Sequence, residues 1–124
     1  MSRMKREIAS CMAGLEGSAG DLSARFVFPE GFIGFQGHFP AKKILPGVCQ
    51  VQCVLTMLEG RAHRPIMLKE IKLAKFFSPV APGEEITCLC KDVQGGDADF
   101  TVKAMLSRGE QKVSEIKLRV CYGT

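Results

Sequence analysis

The second half of the chain alternates between apolar and polar residues with a period of two, which is typical of β-strands that bury one face. Residues 66–77, 84–94, 97–107 and 111–122 follow this pattern, and residues 21–28 follow it further upstream. In residues 111–122 the apolar face holds Ser114, Ile116, Leu118 and Val120, and the mainly polar face holds Val113, Glu115, Lys117 and Arg119. Pairs of glycines and a glycine-containing tripeptide separate the strands and favour tight turns: Gly95-Gly96 and Arg108-Gly109-Glu110. The pattern predicts an antiparallel sheet.

One segment has the composition and the boundaries of a helix. Residues 47–59 follow Pro46 and precede Gly60, in line with the preference for proline at helix starts and glycine at helix ends. The segment is apolar nearly all round, so the helix is expected to be buried. Four apolar residues, with Val54 beside them, are predicted to share one face: Val48, Val51, Leu55 and Leu58.

Residues 4–15 fit two structures. Ile8, Cys11, Met12 and Leu15 have helical spacing, whereas the following Gly17 and Gly20 suit a hairpin after a strand. We favour a strand here. The whole chain of 124 residues then forms a single domain, 1–124, of the α+β class, in which a long curled antiparallel sheet wraps round one central helix.

The charge of the chain leaves several kinds of partner open. The formal net charge is +4 and the isoelectric point is near 8.8, which would suit a nucleic acid, an anionic lipid surface or an acidic protein. Basic and acidic residues are interspersed and tryptophan is absent, which argues against nucleic-acid binding. No apolar run of membrane-spanning length and no signal peptide is apparent, so we expect a cytoplasmic protein without a membrane partner.

The six cysteines are expected to be reduced thiols, most of them buried. Cys49 and Cys53 lie one helical turn apart, and Cys88 and Cys90 share one strand face. Because no Cys-x-x-Cys pair or His-x₃-His spacing accompanies them, we expect no metal site.

Two blocks of sequence carry a recognisable pattern. Residues 35–48 read Phe-Gln-Gly-His-Phe-Pro-Ala-Lys-Lys-Ile-Leu-Pro-Gly-Val, and residues 73–84 read Leu-Ala-Lys-Phe-Phe-Ser-Pro-Val-Ala-Pro-Gly-Glu. Together the blocks resemble the β-hydroxyacyl-acyl carrier protein dehydratases of fatty acid synthesis. The first matches the family pattern G-H-F-P-x-x-P-[IVL]-x-P-G-V except that Lys43 replaces the middle proline.

This resemblance implies a hot-dog fold, a homodimer or larger assembly, and an acyl tunnel with active sites between protomers. It also implies that an acyl carrier protein delivers the substrate on phosphopantetheine, and no cofactor is expected. Because such carriers are acidic, a basic rim could dock one. The lysines considered for this rim are Lys42, Lys43, Lys72 and Lys75.

The residue types suit dehydration of a 3-hydroxyacyl thioester, which needs a base for the C2 proton, an acid for the leaving hydroxyl and donors to the thioester oxygen. His38 is the candidate base, because imidazole titrates near neutral pH. The backbone N–H groups of Gly47 and Val48, at the start of the predicted helix, are candidate donors. Phe39, Phe76 and Phe77 are expected to line or gate the acyl site, as are Phe32 and Phe35.

One position departs from the resemblance. The family places Glu or Asp on the helix fourteen residues after the histidine, and here that position is Gln52. An amide can orient a hydroxyl but has no proton to give to a leaving group. Three functions therefore stay open: a dehydratase of fatty-acid or polyketide and polyene type that uses His38 and Gln52, a hot-dog acyl thioesterase, and a non-catalytic acyl-binding or heterodimer partner subunit.

Overall fold

A computed structural model describes residues 2–18, 20–36, 42–95 and 98–123, without the side chains of residues 92–95. Its described part contains two α-helices, six strands and a 3₁₀ turn at Ile33–Phe35. The helices are α1 (Arg3–Cys11) and α2 (Gly47–Ala62). The strands are β1 (Met12–Ser18), β2 (Asp21–Val27), β3 (Ile66–Phe76), β4 (Glu85–Gly95), β5 (Asp99–Arg108) and β6 (Gln111–Tyr122).

All described strand pairs are antiparallel, and they form one sheet in the order β1-β2-β4-β5-β6-β3. The sheet buries one face around α2, so the predicted α+β arrangement of a central helix wrapped by an antiparallel sheet is confirmed. Ser114, Ile116, Leu118 and Val120 are buried as predicted. Val113, which was assigned to the polar face, is also buried, because the β5–β6 register is irregular there: Leu106 pairs with Ser114 and Ser107 with Lys112, which interrupts the alternation at Val113.

Helix α2 is longer than predicted. It continues through Gly60 to Ala62 and ends at His63, whose left-handed φ of 56° lets its N–H donate to the Glu59 carbonyl at 2.8 Å. Gly60 does not end the helix because its missing side chain makes room for Leu15: a Cβ there would lie 2.8 Å from Leu15 Cδ2. The predicted helix was therefore too short, because Gly60 was interpreted as a helix-ending glycine although it serves packing.

The burial of α2 is confirmed from Cys49 onward, where nine of its residues are buried. The prediction was wrong for Val48, which is 73% exposed. Val48 lies in the first turn of the helix, before the helix enters the core. Periodicity places a residue on a face but does not say how far along the helix the core extends.

The strand predicted over residues 4–15 is wrong for its first part. Residues Arg3–Cys11 form α1, which begins at Ser2, whose hydroxyl accepts from Lys5 N at 3.2 Å, and which buries Ile8 completely. A strand starts only at Met12 and pairs with β2. The segment therefore contains both of the structures that its sequence suggested, one after the other.

No helix in the described ranges combines the length and apolarity needed to cross a membrane.

Candidate functional site

A pocket of about 390 Å³ opens where the N-terminus of α2 meets the end of β3. Its lining is mainly apolar, with a few polar side chains. The lining residues are Gly34, Phe35, Lys42, Ile44, Leu45, Pro46, Gly47, Gln50, Phe76, Phe77, Ser78 and Pro79. Apart from Gly34 and Gln50, these residues come from the two motif blocks, so the fold brings together two segments that are about thirty residues apart in the sequence.

Backbone hydrogen bonds hold the two blocks against each other. The N–H of Leu45, just before α2, donates to the carbonyl of Val80 at 2.8 Å. The segment after β3 is fixed in turn to β6, because Phe77 N donates to Val113 O at 2.8 Å and Ser78 Oγ donates to Lys112 O at 3.0 Å. The pocket walls are therefore tied to the sheet and the helix.

The N-terminus of α2 presents unpaired donors to this pocket. Pro46, the N-cap residue, has no side chain that could accept from the first turn, and its carbonyl accepts from Cys49 N at 3.0 Å and Gln50 N at 3.2 Å. The N–H groups of Gly47 and Val48 have no acceptor among the described residues. Such groups, together with the helix dipole, favour an acceptor oxygen that carries partial negative charge.

Phe76 reaches the same helix end. Gly47 permits this approach, since a Cβ at that position would lie 2.7 Å from Phe76 Cζ. Phe76 and Phe77 are each about half exposed, and the Lys112 ammonium lies 5.3 Å from the centre of the Phe77 ring. Gly47, Phe76 and Phe77 thus line one pocket, whereas Val48 does not line it.

The structure places the remaining candidate residues as follows. His38 and Phe39 lie outside the described residues. Gln52 is half-buried, does not line the pocket, and donates from Nε2 to Thr56 Oγ1 at 3.2 Å. Among the other phenylalanines, Phe35 lines the pocket and Phe32 belongs to the buried core.

Gln50 is the polar residue that sequence reasoning missed. It lines the pocket, is only 3% exposed, and its Oε1 has no hydrogen-bond partner among the described residues. Gln50 and Gln52 point in different directions because two residues are about 200° apart round a helix. The sequence places two glutamines in α2, but only the packing of the helix shows that Gln50, and not Gln52, lines the pocket.

The described lining contains no carboxylate, and its polar groups are Lys42, Ser78, the Gln50 amide and the helix N–H groups. The cysteines lie elsewhere: Cys49, Cys53, Cys88 and Cys90 are buried, as predicted for most of the six. Burial raises the pKa of the Cys49 thiol to about 11. In the described ranges, no three His, Cys, Asp or Glu residues are grouped to hold a metal.

With this geometry in view, comparisons with known proteins define the class. The chain has a hot-dog fold. Residues 15–116 match the model of the ApeI-like family, described as ApeI dehydratase. The chain therefore belongs to the ApeI-like dehydratase family.

Curated relatives carry a related name. The chain is 28% identical over 97 residues to the 3-hydroxyacyl-[acyl-carrier-protein] dehydratase FabZ of Syntrophobacter fumaroxidans, a match that covers 72% of this chain and 66% of that protein. It is 37% identical over 57 residues to the enzyme of the same name from Ehrlichia chaffeensis, covering 42% and 40%. The matches thus span less than two thirds of these relatives.

Solved structures share the fold. The dehydratase heterocomplex ApeI:P from Xenorhabdus doucetiae matches with a TM-score of 0.69 at 21% identity, covering 89% of this chain and 96% of that one. YhdA, a candidate thioesterase from Lactococcus lactis, matches with a TM-score of 0.73 at 10% identity, covering 98% and 97%. At these identities the likeness extends to the fold alone.

Proposed function

We propose that this chain is a 3-hydroxyacyl thioester dehydratase that acts on acyl groups carried by an acyl carrier protein. The observation that carries the proposal is the apolar pocket that Gly47 lines at the start of α2, where the N–H groups of Gly47 and Val48 have no acceptor among the described residues. Such donors bind a thioester oxygen more strongly as negative charge develops on it, which is the requirement for removing a proton from C2.

The proposed reaction uses His38 and Gln52, the two residues that the resemblance names. His38 removes the C2 proton, the C3–O bond breaks, a C2–C3 double bond forms, and the hydroxyl leaves as water. Since Gln52 has no acidic proton, the imidazolium of His38 returns the proton to the departing hydroxyl, and no net proton is consumed. Gln52 would orient the hydroxyl from the partner protomer, which accounts for its place outside the pocket of its own chain.

A homodimer is part of this proposal. Strand β3 lies at one edge of the sheet and exposes apolar side chains along its length. Pairing two copies along β3 would cover them and place two α2 helices near each other. Lys42 at the pocket, with Lys43, Lys72 and Lys75, would form the basic rim that receives an acidic carrier protein.

A second candidate is a subunit whose partner chain supplies the missing carboxylate. Two observations favour it: the amide at Gln52, and a structural neighbour that was solved as a dehydratase heterocomplex. In that assembly β3 would pair with a different hot-dog chain.

Both candidates are tested with 3-hydroxyacyl thioesters of several lengths, on carrier protein and on a short pantetheine mimic. Enoyl product and free thiol are followed in parallel for the wild type, His38→Ala and Gln52→Glu. Enoyl formation that is lost in His38→Ala supports the dehydratase. Thiol release without enoyl product would instead identify a thioesterase, and binding without either product would favour the partner subunit.

The Gln52→Glu variant measures how much slower dehydration is with an amide at position 52 than with a carboxyl. The substitution keeps the side-chain length and restores a carboxyl, whose pKa is expected to rise in a partly apolar site, so that it donates a proton near neutral pH. Dehydration should accelerate at least about tenfold, toward the ~10²–10⁴-fold range of general acid–base catalysis. Unchanged activity in a folded variant would mean that the site has diverged beyond this residue.

A further inference from the structure

Gln50 stands out among the buried polar groups of the described residues. Only two buried side-chain oxygens there lack a hydrogen-bond partner, Gln50 Oε1 and Ser114 Oγ. Gln50 also belongs to the wall of the pocket, whereas Ser114 does not. A buried polar atom without a partner destabilises the folded state, and such groups are uncommon in proteins. An unpaired amide in a pocket wall therefore points to a ligand that completes its hydrogen bonding.

The position of Gln50 limits which group of a ligand it meets. Gln50 lies three residues beyond Gly47, which is slightly less than one helical turn, or about 4.5 Å along the axis. Both residues line the same pocket, so an acyl chain whose thioester carbonyl binds the N–H of Gly47 and which extends along this wall would pass Gln50. The polar group on the acyl chain two carbons from the carbonyl is the 3-hydroxyl.

The chemistry of an amide also fits a hydroxyl. A thioester carbonyl can only accept, and a saturated acyl chain can neither donate nor accept. A hydroxyl can donate to Oε1 or accept from Nε2, and the terminal torsion of glutamine is broad enough to present either atom. We propose that Gln50 binds the substrate's 3-hydroxyl and thereby selects 3-hydroxyacyl thioesters over unhydroxylated ones. This inference rests on the proposed function, of which it names the specificity residue.

The test compares two ligands that differ in one hydroxyl, 3-hydroxyoctanoyl and octanoyl thioesters of pantetheine. Dissociation constants are measured by calorimetry for the wild type, Gln50→Met and Ser114→Ala. Met keeps the length and removes the amide, and Ser114→Ala is the matched control, since it removes the other unpaired oxygen away from the pocket. We expect the wild type to prefer the hydroxylated ligand at least about fivefold, the net effect of one hydrogen bond. Gln50→Met should lose that preference and bind the octanoyl ligand as before, while Ser114→Ala should keep it.

A structural role alone would give a different pattern. If Gln50 merely supported the fold, Gln50→Met would lower the melting temperature and weaken both ligands equally. Removing an unpaired buried amide should instead leave the melting temperature unchanged or higher. Equal preference in the wild type and Gln50→Met overturns the inference and leaves the dehydratase site in place. A wild type that binds neither ligand and turns over no hydroxyacyl thioester overturns the proposed function and the inference with it.

A measurement on the wild type alone covers the case in which Gln50→Met does not fold. The side-chain NH₂ resonances of Gln50 are followed by ¹⁵N NMR as each ligand is added. We expect them to shift with the 3-hydroxyoctanoyl ligand and to shift far less with the octanoyl ligand. Equal shifts with both ligands would contradict recognition of the hydroxyl.

Discussion

The two edge strands of the sheet are built differently. β1 has 7 residues and a register irregularity between Ala13 and Glu16. It contains two glycines with positive φ, Gly14 and Gly17, and its exposed residues are small or polar. β3 has 11 residues and exposes large apolar side chains. These are Met67, Leu68, Ile71, Leu73 and Phe76.

This contrast shows which edge is suited to a partner. Short, irregular, polar edges resist pairing with another chain, whereas a long edge with exposed apolar residues invites it. α1 adds to the difference, because it precedes β1 and packs against α2. β1 is thus an edge strand that resists pairing with another chain, and β3 is an edge strand that is suited to it. The end of β3 also supplies Phe76 to the pocket. The predictions below test this difference.

The largest expected effect is a loss of dimer affinity when a charge is placed on β3. In Ile71→Lys, pairing along β3 would bury an unpaired ammonium, which costs at least about 3 kcal/mol, so the dimer should weaken about 10²-fold or more. Dehydratase activity should fall with it if the site needs both protomers. Ala13→Lys is the matched control on β1 and should leave the assembly unchanged. Light scattering at several protein concentrations reads the result, and an intact Ile71→Lys dimer would exclude β3 as the interface.

An intermediate effect, on the free energy of unfolding, is expected from a substitution in β1. Gly17 has φ of 105°, and a Cβ there would lie 2.0 Å from the carbonyl oxygen of Asp21. Gly17→Ala should therefore lower the free energy of unfolding by about 1–3 kcal/mol, the usual cost of a strained backbone conformation. Gly20→Ala, where nothing lies within 4 Å, should change it by less than about 0.5 kcal/mol. Urea unfolding measures both variants, and equal values for the two would show that the turn relaxes. Neither should change the oligomeric state.

The smallest effect is a pH dependence from α1. The Glu7 carboxylate accepts from Ile33 N at 3.0 Å and from Arg3 Nε at 2.6 Å, and these hydrogen bonds lower its pKa below the ordinary value of 4.5. A carboxyl with a lowered pKa in the folded state stabilises the protein above the unfolded-state pKa, and this contribution disappears as the pH falls through the folded-state value. Glu7→Gln should therefore be less stable than the wild type at pH 7.

That difference should begin to shrink as the pH falls below the ordinary value of 4.5 and should disappear as the pH passes the lower folded-state pKa of Glu7. Urea titrations of both proteins between pH 7 and pH 3 measure it. Glu110→Gln, on an exposed turn, serves as the control that changes net charge alike. A pH-independent difference between Glu7→Gln and the wild type would mean that the shape of the side chain matters and its charge does not.

Much of the fold follows from the sequence because period-two patterns are long in this chain. β6 was predicted with the observed bounds, and β2 to β5 within two residues at each end. Periodicity failed where two elements share one short segment, as at α1 and β1. It also failed where a glycine serves packing, as Gly60 does against Leu15.

The sequence named candidate side chains for the site but could not show which of them lie together. Gly47, Phe76 and Phe77, which were candidates for substrate binding, line one pocket, and their role in binding stays a prediction. Gln50 could not be chosen over Gln52, because the rotation of α2 in its core decides which amide enters the pocket. The roles of His38 and Gln52 stay predictions.

The burial of the cysteines has a consequence for the proposed function, in which the chain binds thioesters. Acyl groups pass readily from a thioester to a nearby thiolate, so a reactive cysteine would capture the substrate as a covalent adduct. With its pKa raised to about 11, Cys49 is ionised in only about one molecule in ten thousand at pH 7. Burial also raises the pKa of Cys53, and the hydrogen bond with Cys90 together with burial raises the pKa of Cys88. None of the described cysteines lines the pocket. Burial thereby keeps Cys49, Cys53 and Cys88 from capturing the acyl group while the native core stays folded.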